Sequence, residues 1–175
     1  MPVPIILIAG IGNIFLGDDA FGVEVAQRLA GRPMPEGVRV EDFGIRGLDL
    51  TYALMEDYDA IVLVDAAPHG EKPGTLYVIE PHIAADGSES ESDPLIETHG
   101  MNPMKVLRMV KAMGGKPKRL LLVGCEPATL GPEEGQMGLS EPVQAAVGEA
   151  VLLVESVIGQ LCAGDVAVPV SRTDP

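Results

Sequence analysis

Asp19, Asp65 and His99 are the residues of this chain whose types and placement could do chemistry. Asp19 closes the stretch Gly10-Ile11-Gly12-Asn13-Ile14-Phe15-Leu16-Gly17-Asp18-Asp19, a glycine-rich turn that follows an apolar run. Asp65 ends a second apolar run, Ile61-Val62-Leu63-Val64. His99 stands in Glu97-Thr98-His99-Gly100-Met101-Asn102-Pro103, just ahead of a helix start. Two carboxylates at adjacent strand ends would share a site where like charges raise a pKa or recruit a cation. An imidazole over the same edge would complete two oxygen donors and one nitrogen donor. That set suits a divalent transition metal with open positions.

Each of these residues also has a plainer reading. Acids in a first helical turn are favoured by the macrodipole by about 0.3–1 kcal/mol. Asp18 fits that role better than Asp19, and Asp65 by itself would cap a turn. A dinucleotide site is a poor match. Gly10 and Gly12 supply only the first two glycines of the fingerprint, Phe15 replaces the third, and Asp18 and Asp19 would repel a pyrophosphate. Asp42 imitates the ribose-binding acid but lies far along the chain. No Gly-Lys-Ser/Thr follows the turn, which excludes a P-loop, and there is no G-x-S-x-G or H-E-x-x-H. Cys125, in Leu122-Val123-Gly124-Cys125-Glu126-Pro127, reads as a buried free cysteine rather than a nucleophile. His69 and His82 read as surface or turn residues. Asp86, Glu89, Glu91, Asp93 and Glu97 form a solvated loop, and Met101, Met104, Met109 and Met113 read as core filler.

The elements that must position the three residues alternate between strand and helix patterns. Strands are expected over 3–9, 38–43, 60–65 and 120–123, with a short and antiparallel one over 75–79. Helices are expected over about 18–30, 47–55, 103–113 and 141–161, with Asn102 and Ser140 as caps and Pro103 and Pro142 in first turns. This order predicts a three-layer α/β sandwich, a mostly parallel twisted sheet of about five strands with helices on both faces. With the first strand central and the second and third beside it, Asp19 and Asp65 flank the topological switch point, where open α/β sheets bind ligands. Residues 1–162 are expected as a single catalytic domain, and 163–175 as a flexible tail.

Composition narrows the partners. A formal net charge of -14 argues against nucleic acid and anionic membranes and favours cationic ligands or a basic surface. Two cysteines make no disulfide framework. No apolar run is expected to approach the roughly 20 residues that span a bilayer, and no signal peptide is visible. A reduced, cytoplasmic protein is the expectation.

The combination resembles the hydrogenase maturation endopeptidases, which process the large subunit of nickel–iron hydrogenases. The resemblance rests on the block from Gly10 to Gly22, on Val64-Asp65-Ala66, on Thr98-His99-Gly100, on Leu122 to Pro127, and on the Gly138-Leu139-Ser140 helix entry. It implies that Asp19, Asp65 and His99 bind metal and carry an aspartyl-type peptidase activity. Asp19 would then be a shorter variant of a ligand that is often glutamate. The metal implied is the nickel already loaded into the hydrogenase precursor, with zinc or cadmium able to substitute in vitro. Cleavage would remove a short C-terminal peptide, and Asp42 would be a further cleft residue. The alternative from another class is a nickel- or nucleotide-binding accessory protein without catalysis.

Overall fold

The computed structural model describes residues 2–81, 103–132 and 134–164. Its elements are β1 (Ile6–Ile11), a 3-10 turn (Gly17–Ala20), α1 (Phe21–Ala30), β2 (Val38–Gly44), α2 (Gly47–Leu54), β3 (Ala60–Ala66), β4 (Leu76–Ile79), α3 (Pro103–Ala112), β5 (Leu120–Cys125) and α4 (Glu141–Cys162). They build one five-stranded sheet in the order β2-β1-β3-β5-β4. The first three pairings are parallel, and β4 runs antiparallel on β5. β1 thus lies between β2 and β3, and the chain reverses direction across the sheet there, as the strand patterns predict.

β1 and β3 are buried along their whole length, which is why they read as unbroken apolar runs instead of alternating ones. Alternate residues divide between two cores. Ile6 and Ile8 of β1, with Val62 and Val64 of β3, pack under α1 and α4. Leu7, Ala9 and Ile11, with Ile61 and Leu63, pack under α2 and α3. Asp65 follows Ile61 and Leu63 at the strand period of two, so it ends β3 on the α2/α3 parity.

Two expectations are corrected. The helix foreseen from residue 18 begins in earnest at Phe21, because Gly17 takes φ 56° and opens a separate 3-10 turn. α4 is, by length and composition, apolar enough to cross a membrane, so the expectation that no run approaches that length fails. Its apolar character has another cause: Val143, Val147, Val154, Val157 and Ile158 are buried against the sheet and α1. The segment 82–98 lies outside the described residues, as does the tail from 165. Ala163 and Gly164 finish α4 with hydrogen bonds back to Gly159 and Leu161.

Candidate active site

The glycines after β1 answer to packing. Gly12 takes φ 148°, and a Cβ there would lie 1.7 Å from the Asp19 carbonyl oxygen. A Cβ on Gly22 would lie 2.0 Å from the Val64 carbonyl oxygen. The missing side chains let the turn fold back on itself and let α1 rest directly on the end of β3. Both approaches bring Asp19 to the strand end that carries Asp65. The loop is anchored on its other side by the Gly12 N–H, which donates to the Gly44 carbonyl at the end of β2 (3.0 Å).

Asp19 is half-buried, and its Oδ2 accepts the Asn13 N–H at 2.8 Å. Burial pushes its carboxyl above the ordinary value, with the Asn13 bond opposing. Asp65 is 6% exposed. Burial, and then the charge of Asp19, push it well above the usual carboxylate range against one stabilising N–H from Ala66. Among the described residues its Oδ1 has no hydrogen-bond partner. A buried, unsatisfied carboxylate oxygen beside a second carboxylate costs stability in the protein alone. A cation held between them reverses that cost. The structure therefore brings together two of the residues expected from the sequence, at the expected sheet edge.

Asp18 does something else. It is 0% exposed and stands in the first turn of the 3-10 helix, as expected, but its carboxylate is bonded well beyond that helix. Its Oδ2 accepts the N–H groups of Ala128 (2.8 Å) and Thr129 (3.1 Å) and the Ser140 hydroxyl (2.8 Å). Its Oδ1 accepts the Ser140 N–H at 2.7 Å. The Ser140 hydroxyl is thereby turned away from capping α4, where it makes no cap bond. The Asp18 N–H adds a bond to the Thr129 carbonyl (3.0 Å). The turn that presents Asp19 is thus knotted to the loop between β5 and α4.

A second set of residues at the same edge was not foreseen. The Tyr77 hydroxyl donates to the Ala67 carbonyl at 2.6 Å, just beyond Asp65. Burial first, and the charge of Asp65 next, raise its pKa. The exposed His69 ring stacks on Tyr77 with centroids 4.8 Å apart, in keeping with a turn position. The buried Glu126 accepts the His69 N–H at 2.6 Å. These partners come from three different strand ends, and the pairings of β5 with β3 and with β4 make them neighbours.

Cys125 lies fully buried in the α1/α4 core. Burial, then the charges of Asp18 and Glu126, push its thiol up to about 12. A thiol held protonated is no nucleophile. Asp42 lies two residues before the end of β2, level through Gly10 with Val64, on the α1/α4 parity opposite to that of Asp65. Its Oδ1 accepts the Gly44 N–H (2.8 Å), and its Oδ2 accepts from Gln27 (3.4 Å), so its carboxylate closes a turn. Met104 packs on the α2/α3 core, but Met109 and Met113 are half-exposed. The core-filler reading therefore fails for those two. His82, His99, Met101, Asn102 and the acidic run lie outside the described residues. α3, which opens at Pro103 soon after His99, packs on the sheet face whose parity Asp65 shares. Among the described residues no three His, Cys, Asp or Glu side chains converge as a metal cage.

A family model for hydrogenase maturation protease matches residues 23–157. The chain is 31% identical over 153 residues to the hydrogenase 2 maturation protease of Escherichia coli, covering 83% of this chain and 85% of that one. It is 31% identical over 151 residues to a hydrogenase expression/formation protein, HupD, of Rhizobium leguminosarum, covering 86% and 72%. The solved E. coli hydrogenase-maturating endopeptidase HybD superposes with a TM-score of 0.70 at 29% identity, over 90% of this chain and 93% of that one. The chain belongs to the hydrogenase maturation proteases, a family of peptidases.

Proposed function

We propose that this peptidase removes a C-terminal peptide from the nickel-loaded precursor of a nickel–iron hydrogenase large subunit. In this reading Asp19, Asp65 and His99 engage the nickel carried by the substrate. The metal belongs to the precursor, and the peptidase reads its presence. The observation that carries the reading is the Asp65 Oδ1, buried beside the charge of Asp19 without a partner among the described residues. Such an atom calls for a cation, and a net charge of -14 supplies the background field for one. Zinc or cadmium would occupy the same donors in vitro. Bound metal can polarise a carbonyl or fix the substrate in register, and we assign the second role. The cytoplasm, where a reduced thiol persists, is the proposed compartment.

A non-catalytic accessory role is disfavoured by membership in a peptidase family. The test is to incubate the protein with nickel-loaded and nickel-free precursor and to follow the intact mass. A mass loss at the precursor C-terminus is expected only with nickel. Equal cleavage of both forms would rule out recognition through the metal.

A further inference from the structure

The sheet edge that carries the acids is rimmed by exposed apolar side chains. Ile14, Phe15, Ile45, Leu48 and Met137 are between 43% and 69% exposed. Single exposed apolar residues are ordinary, but a cluster around a site marks a binding surface. Four of them stand on three loops that hydrogen bonds join, and Leu48 lies in the first turn of α2. Gly12, two residues before Ile14, donates to Gly44, which precedes Ile45. Gln136, which precedes Met137, donates to the Phe15 carbonyl at 2.7 Å and accepts the Gly17 N–H at 2.8 Å. The Asp18 knot locks the same two segments together, so the rim is built before any partner arrives. Arg46, the cation of these loops, is tied to Asp49 (3.0 Å) and to the Asp42 carbonyl and lies over the Phe43 ring. The described cation of the rim is thereby held in place, and Glu134, on the Met137 loop, adds an exposed acid beside the apolar side chains.

We propose that this rim is the docking surface for the polypeptide substrate, which meets it with an apolar segment adjoining the bond to be cut. The inference rests on the precursor-processing reading and adds to it where the precursor sits. Ile14 and Phe15 stand on the turn that leads into the 3-10 helix of Asp19, so the rim is continuous in the chain with the acid site. A second copy of this protein is a poorer occupant, since two bodies of charge -14 repel one another. Apolar contact also lets an acidic enzyme hold a partner that its field does not attract.

The test uses two double variants, Phe15→Ser/Met137→Ser and Ile45→Ser/Leu48→Ser, with Phe15→Leu as an apolar control. Affinity for nickel-loaded precursor is measured by calorimetry, KM and kcat by mass loss, and self-association by sedimentation. The serine variants are expected to raise Kd and KM by about tenfold or more. Their kcat at saturation and Tm should stay near wild type, and Phe15→Leu should remain close to wild type throughout. Unchanged Kd and KM in folded serine variants would overturn the proposal. A dimer that the variants dissociate, with precursor affinity unchanged, would overturn it in favour of self-association. If wild type binds precursor without cutting it and the variants weaken that binding, the rim stands and the cleavage reading falls. If wild type neither binds nor cuts, both fall.

Discussion

Asp18 and Asp19 are adjacent in sequence and opposite in circumstance. Asp18 is buried with its carboxylate saturated by three backbone N–H groups and a hydroxyl. Asp19 has one N–H, from Asn13, and faces Asp65, whose Oδ1 has none among the described residues. Buried polar groups are ordinarily satisfied, so the first arrangement reads as architecture. The second is kept at a cost, and such costs collect at functional sites. Full hydrogen bonding separates the structural acid from the functional ones more sharply than burial does.

The largest expected effect comes from removing the unsatisfied pair. Asp19→Asn or Asp65→Asn should lower processing of nickel-loaded precursor by about a hundredfold or more, the scale set by losing a directly bonded group. Stability should not fall. Asp65→Asn removes a buried carboxylate whose Oδ1 is unsatisfied among the described residues, so its Tm should equal or exceed wild type in the metal-free protein. A wild-type processing rate in Asp65→Asn would break the comparison at its functional end.

Asp18→Asn should show the reverse. An amide in the knot turns an NH2 toward an N–H of the β5–α4 loop, leaving donors face to face. The cost should be about 2–4 kcal/mol, or about 2–4 °C of Tm per kcal/mol for a chain of this size. Ser140→Ala, which removes only the hydroxyl, should cost about 1 kcal/mol. Thermal unfolding checks both, and an Asp18→Asn variant as stable as wild type would mean the knot holds nothing.

This contrast also marks what was legible in the sequence. The order of the central strands followed from apolar runs punctuated by glycine, and Asp65 followed from its place at the end of one run. The acids at 18 and 19 could be seen to matter, but their roles could not be told apart by local pattern. The partners of Asp18 are Ala128, Thr129 and Ser140, more than a hundred residues on. Nothing local encodes a bond of that reach. Ser140 illustrates the same limit, because a sound cap residue by type was diverted by a tertiary acceptor. Tyr77 escaped because its partner, Ala67, offers only a backbone carbonyl and leaves no sequence signal.

A smaller effect concerns pH. Asp19 and Asp65 both have folded pKa values above the ordinary 3.8. Each therefore binds its proton more tightly in the folded state. Their contribution to stability is fully present below the unfolded value, near 3.8, and is lost as pH rises through the raised folded values. Relative to Asp65→Asn, the metal-free wild type should therefore gain stability as pH falls from 7 toward 4. Urea unfolding of both proteins across that range measures the gap. A gap that does not change with pH would mean the raised values are absent.

The smallest effect separates the neighbours by adding one methylene to each. Asp19→Glu lengthens the side chain by about 1.5 Å at a half-exposed position whose one bond is to the Asn13 N–H. The longer carboxylate has solvent-facing room, and Asp65 supplies the fixed half of the pair. Processing should stay within about fivefold of wild type, and stability within about 1 kcal/mol. The same change at Asp18 enters a site that is 0% exposed, where four donors define the carboxylate position. Overpacking there should cost about 1–3 kcal/mol. Equal Tm losses in the two glutamate variants would show that Asp19 is held as tightly as Asp18. Retained Tm with abolished processing in Asp19→Glu would instead show that the site demands the shorter acid, tying its geometry to aspartate.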